Sequence, residues 1–214
     1  MSARRWATVA TAEARRQLTS PLLVALVLLV AAAAVSMNPT AMIPGAGGGA
    51  DAPLQINSAF AVAQSFALVS FFLYNFVAAI MGGLCILRDR DLGISELLHA
   101  TPLRPQEYVW GKFAGVLAAL LVALALHAVV LAVLLELMPG WNAGAARGPF
   151  IPGHYLGGAL AFTAPAMIFS AGMAFAAGTR SGQPLLVYAV PTGIFLVTVF
   201  VFNALPLHGL APAV

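Results

Sequence analysis

The chain has 214 residues, of which 61% are hydrophobic and only 8% charged, and its mean hydropathy is +0.95. Soluble domains carry about 25% charged residues, so composition excludes a soluble domain and predicts an all-α integral membrane protein. The net charge of +3 is spread along the boundaries of apolar runs, which excludes a concentrated nucleic-acid-binding patch. The one cysteine, Cys85, cannot form an internal disulfide, and no Cys/His spacing suits zinc. The motifs HExxH, GxSxG and GxxxxGK[ST] are absent, so any ATP hydrolysis that drives this protein belongs to another chain.

A basic segment with Arg4, Arg5, Arg15 and Arg16 comes first. At 1.5 Å per residue, about 20 apolar residues cross a hydrocarbon core of roughly 30 Å. Five runs reach that length, near 18–37, 60–87, 113–138, 154–178 and 183–205. Their continuous apolarity predicts helices rather than barrel strands. The first run has a rival reading, because Arg15, Arg16, the apolar stretch 21–35 and the small residues 31–36 also suit a secretory signal with a cleavage site. Segments 38–57 and 139–153 are rich in Gly and Pro and read as outer loops, with Trp141 and Tyr155 suited to the membrane interface. The connection at 179–182 is minimal and predicts a tight antiparallel hairpin. Counting Lys and Arg by side places the N-terminus inside. Arg4, Arg5, Arg15, Arg16, Arg88, Arg90, Arg104, Lys112 and Arg180 then fall on the cytoplasmic side, and only Arg147 falls outside with the last residue, Val214.

Between the second and third runs lies a polar segment, 88–112, with eight of the seventeen charged side chains. Asp91 or Ser95 can cap a short helix over 92–100, whose Ile94, Leu97 and Leu98 share one face. Thr101-Pro102 ends it. Such a helix can lie in the headgroup region or dock into a protein groove, and its mixture of Asp89, Asp91, Glu96 and Glu107 with basic residues leaves both open.

The run Gly82-Gly83-Leu84-Cys85-Ile86-Leu87-Arg88-Asp89-Arg90-Asp91-Leu92-Gly93, followed by Glu96-Leu97-Leu98, Ala100-Thr101-Pro102-Leu103 and Glu107-Tyr108-Val109-Trp110-Gly111-Lys112, resembles permeases of ABC-2 type transporters. The resemblance covers the whole order of basic segment, spans and loop. It implies a six-span dimeric permease, a homo- or heterodimer, whose separate ATPase subunit binds ATP and Mg and docks on the loop between spans two and three. It also implies a place in the plasma (bacterial inner) membrane. With five spans here, it suggests the N-terminal part of a longer polypeptide. It makes 91–100 a coupling helix in which Ile94, Leu97 and Leu98 fill an ATPase groove, with Gly93 in the same motif. Arg88, Asp89, Arg90, Asp91 and Glu96 would orient that helix. The segment before residue 18, with Arg5, Trp6, Val9 and Arg16, becomes an interfacial elbow helix. The stretches 57–64 and 148–155 are similar to permeases sometimes fused to an M1-family aminopeptidase. That similarity implies the alternative of a membrane anchor for a metallopeptidase domain beyond residue 214.

Inside the spans, Gln64, Asn75 and Gly82 are spaced to share one helix face, either lining a translocation path or packing against other helices. Gly111, Gly115 and Ala119 form a small-residue stripe that permits close backbone approach. His127 lies deep in the third run and is either a path residue or a structural hydrogen-bonding group, whereas Glu136, near Pro139, is expected to reach outer water. Pro165 and Pro191 predict kinks, and Pro184 suits a first helical turn.

Overall fold

A computed structural model describes residues 3–36, 56–94, 104–137 and 147–204. Among these, six helices form the bundle. They are α1 (Ala3–Leu18), α2 (Pro21–Ser36), α3 (Ala59–Asp91), α4 (Pro105–Leu137), α5 (Pro152–Ser181) and α6 (Pro184–Ala204). Four of them open on proline, which fixes φ for the first turn and removes an N–H that would have no intrahelical partner. Four helices are long and apolar enough to cross a membrane, or five spans if the bent pair α1–α2 counts as one. The first predicted run, 18–37, is broken at its start. α1 ends at Leu18, and α2 sets off at 57° to it.

The largest departure from expectation concerns the polar segment. The chain is helical through Asp91 and again from Pro105, so much of 88–112 extends the spans instead of forming a loop. Asp91 is the last residue of α3 and caps no new helix. Leu92 is the C-cap, its N–H donating to Arg88 O, and Gly93 follows with φ of +67°, its N–H donating to Arg90 O. A glycine just past a helix end takes this left-handed conformation at no steric cost. Leu92 and Gly93 are therefore a turn, while Ile94 is helical. Glu96, Leu97, Leu98 and the Thr101-Pro102 stop lie outside the described residues, as do Trp141 and the alternative cap Ser95. At the start of α4 the Glu107 carboxylate accepts from the Arg104 N–H, which satisfies one of the orphan donors of a helix N-terminus.

α1 is a packed helix, with its fit set by the small residues of α4. A Cβ built on Gly115 would sit 2.6 Å from Ala10 O and 2.7 Å from Glu13 Cβ, and one on Gly111 2.8 Å from Val9 Cβ. The stripe read from sequence is thus the groove that receives α1. A second close seam joins α3 to α5, where a Cβ on Gly82 would lie 2.6 Å from Ala171 O. Such approach lets dispersion contacts substitute for the hydrophobic drive that is missing between helices in lipid. The core between these seams is apolar and includes Phe66, Val69, Met81, Leu120 and Met167. α6 leans on α5 and α3, and most of its surface is uncovered: only 11% of its apolar window is buried.

Two helices contain a π turn, at Ser70–Tyr74 in α3 and Ala159–Thr163 in α5. The second has a visible cause in Pro165. Proline offers no N–H to the carbonyl four residues back, and the turn before it widens so that Ala164 N–H reaches Ala159 O. At Pro165, where a kink is expected, the chain makes a π turn and continues as one helix. Pro191 lies inside the continuous α6, and Pro184 opens that helix as its position suggested. The hairpin between α5 and α6 is as tight as predicted, closing on Gly182 at φ +64°.

Candidate functional site

The connection 92–104 emerges from a buried charged junction of α1, α3 and α4. Glu13 and Asp89 are 3% exposed and Lys112 6%, so all three charges have left water. Lys112 Nζ bridges the two carboxylates, donating to Glu13 Oε2 at 2.7 Å and pairing with Asp89 Oδ2. Arg16 Nη1 lies 3.3 Å from Asp89 Oδ1, and Arg88 Nη2 is 3.7 Å from Glu13 Oε1. Gln17 donates to Glu13 Oε1 at 2.6 Å, and the Tyr108 hydroxyl donates to Asp89 Oδ2. A buried carboxylate costs several kcal/mol in lost hydration unless paired and hydrogen-bonded. Two carboxylates against three cations, with two further donors, meet that condition.

The junction follows from where the helices end. Carrying α3 through Asp91 turns Asp89 inward, and starting α4 at Pro105 brings Tyr108 and Lys112 alongside it. The close seat of α1 on Gly111 and Gly115 then delivers Glu13. Glu13 and Gln17 escape a reading of sequence alone, although a single acid in a basic segment was the available signal.

The other expected coupling residues are arranged around this centre. Arg88 and Arg90 are exposed, Arg90 lies over Gly182, and Asp91 borders a cavity with Gln17 and Pro184. Ile94 lines a cleft of about 360 Å³ with Thr8, Tyr108 and Lys112. Arg90 against Gly182 puts the α5–α6 hairpin at the same end as the junction.

A second polar centre lies midway along α3. Asn75 is buried, its Nδ2 donating to Pro191 O at 3.1 Å while its Oδ1 accepts from Ser170 at 2.6 Å. Nearby, the π turns of α3 and α5 meet through the Ser70–Thr163 hydroxyl pair at 2.7 Å. The π turn between Gln64 and Asn75 takes one residue beyond the α-helical count, which undoes their shared face. Asn75 and Gly82 meet α5, whereas Gln64 stands half-buried on the far side of the π turn. His127 is also apart from Asn75. It is 2% exposed and packed against the rings of Phe66 at 4.6 Å and Tyr74 at 5.9 Å.

The opposite end of the bundle gathers Asn57, Tyr155 and Arg147 around Glu136. Its Oε1 accepts from Tyr155 at 2.8 Å and from Asn57 Nδ2 at 3.0 Å, and Asn57 also exchanges bonds with Gly148. Glu136 is half-buried, its carboxylate bonded to Asn57 and Tyr155 while the residue keeps part of its surface exposed, and the buried Tyr155 serves as its donor rather than as an interface anchor.

Long apolar helices and two close-packed seams define a multi-pass integral membrane protein. Residues 7–213 match the ABC-2 family transporter protein family, and the chain belongs to it. The family is one of transporters, not of catalysts. Among individually curated proteins, none matches the sequence.

Proposed function

We propose that the chain is the permease subunit of an ATP-driven exporter, coupled to a separate ATPase subunit through the connection 92–104. The carrying observation is the charged junction. It ties the roots of that connection, on α3 and α4, to α1 by ion pairs, so a load applied there moves three helices as one body. The ATPase would hold ATP and Mg, and Ile94, Leu97 and Leu98 would supply the apolar contact. A second permease subunit would complete the path, to which Asn75, Gln64 and His127 are candidate contributors. The junction end carries the Arg and Lys residues and Arg147 lies at the Glu136 end, which supports a cytoplasmic N-terminus and connection in a bacterial inner membrane.

The test is co-purification of the tagged chain with its ATPase, followed by ATP-driven transport in vesicles. Leu97→Arg with Leu98→Arg should abolish both association and coupled transport while the protein still inserts. Retained association and transport in that double variant would overturn the docking role. A wild-type chain that binds no ATPase would instead favour the reading as anchor of a peptidase domain.

A further inference from the structure

A second cleft lies beside the charged junction, where the α1–α2 bend meets α3 and the start of α6. It holds about 250 Å³, and its lining joins two kinds of surface. Leu22, Met81 and Leu84 supply an apolar part, and Gln17, Arg88 and Asp91 a polar one. Along α3 the change runs from Leu84 to Asp91, about 10 Å at 1.5 Å per residue. The apolar run of α3 ends between Leu87 and Arg88, so the cleft crosses the level at which hydrocarbon gives way to headgroups.

Its polar groups are not used up. Gln17 is 5% exposed, and its Nε2 donates to Glu13, which lines the neighbouring cleft and not this one. Because the Glu13 carboxylate can only accept, the amide oxygen is the atom left to this side. It has no donor among the described residues, and a buried polar atom without a partner calls for an explanation. Ser20 Oγ accepts from the Leu23 N–H at 3.3 Å and keeps its own hydrogen to give. Asp91 is exposed, and its carboxylate has no partner among the described residues. Arg88 Nη2 is 3.7 Å from Glu13 and the side chain is 43% exposed, so most of its five N–H groups remain. The first turns of α2 and α6 border the same space at Leu22 and Pro184, and helix starts favour a phosphate.

The cleft thus offers two acceptors, Gln17 Oε1 and Asp91, beside a set of donors with one positive charge. A purely anionic head would place a second negative charge near Asp91. A quaternary ammonium has no N–H for Gln17 Oε1. A primary ammonium carried on a phosphodiester matches both sets. The volume falls short of the roughly 300–1,000 Å³ of pockets that enclose a whole small molecule, which suits a headgroup whose chains stay in the bilayer.

We propose that this cleft is a lipid site selecting a phospholipid with a primary-ammonium head. The ammonium meets Asp91 and Gln17 Oε1, the phosphate meets Arg88 and Ser20, and the chains leave past Leu84 and Leu22. The site needs no ATPase and stands apart from the exporter reading.

The test uses the full chain in phosphatidylcholine nanodiscs doped with a phosphatidylethanolamine that carries a diazirine in its acyl chain. Labelling should concentrate on peptides containing Leu22 and Leu84. Unlabelled phosphatidylethanolamine should compete at least tenfold better than phosphatidylcholine or phosphatidylglycerol of equal chains. Asp91→Asn should cut labelling at least fivefold with an unchanged melting temperature, since no described group depends on Asp91, and Asp91→Glu should restore most of it. Asp91→Lys should make phosphatidylglycerol the best competitor. Labelling spread over every exposed helix face and indifferent to Asp91→Asn would overturn the proposal in favour of annular lipid. Equal competition by phosphatidylglycerol against the wild-type chain would overturn the selectivity for an ammonium. Water-soluble glycerophosphoethanolamine competing as well as the lipid would replace the lipid by a soluble ligand. Loss of ATPase association with labelling intact would remove the exporter reading and leave this site standing.

Discussion

α3 is held to its neighbours by different chemistry at its two polar levels. At Asp89 it is joined to α1 and α4 by carboxylates and cations with charge-assisted bonds, whereas at Asn75 it is joined to α5 and α6 by an amide, a hydroxyl and a backbone carbonyl. The difference tracks distance from water. Arg16 of the junction is partly exposed and Arg88 exposed, so their charges retain hydration while their ends pair inside. Mid-helix Asn75 has no such outlet, and only neutral groups keep the cost of burial small there. The charged level is thus held by ion pairs and the neutral level by a few uncharged hydrogen bonds.

Breaking the charged level should have the largest effect. Lys112→Met leaves Glu13 and Asp89 facing each other without their shared cation. Removing one partner from a buried pair costs about 3–5 kcal/mol, so thermal unfolding in detergent should show a large drop in melting temperature. A melting temperature equal to wild type would mean that the junction contributes little. Undocking α1 sterically comes next. Gly115→Val forces a side chain against Ala10 O and Glu13 Cβ at about 1–3 kcal/mol, and limited trypsinolysis should then cleave at Arg15 or Arg16 in the intact bundle. Unchanged protection of those sites would contradict the seat of α1 on α4.

At the neutral level, Asn75→Leu removes the bonds to Pro191 O and Ser170. Side-chain hydrogen bonds within membranes average about 0.6 kcal/mol, so the loss of stability should be clearly smaller than for Lys112→Met. A loss as large as that of Lys112→Met would erase the contrast between the two levels. Smallest of all should be Glu136→Gln, because the new amide oxygen still accepts from Tyr155 and Asn57. Glu136→Leu, which leaves both donors unmatched, should destabilise more, and the melting temperatures of the pair measure the difference.

Much of the bundle was legible in sequence because lipid imposes length and apolarity on any spanning helix. The runs that became α3 to α6, Pro184 at the start of α6, the 179–182 hairpin and the Gly111–Gly115 stripe all rest on local chemistry. The polar segment misled because charge was read as loop. A helix leaving the hydrocarbon core keeps its own hydrogen bonds and continues, so Asp89 and Lys112 belong to helices. Gly93 carried the true stop signal. The Gln64–Asn75 face failed because a π turn shifts every later residue, and the first π turn has no proline beside it to announce it.

Composition and span length by themselves determined a multi-pass helical membrane protein, and the motif around 82–112 pointed to its transporter family. Only the tertiary structure decided that Glu13 meets Lys112 and Asp89, that Asn75 faces Pro191 while His127 packs with aromatic rings, and that Glu136 bonds Asn57 and Tyr155. Each depends on residues distant in sequence meeting across a helix interface. Hydropathy records how deep a residue sits, whereas its azimuth around the helix is set by the neighbours that helix finds.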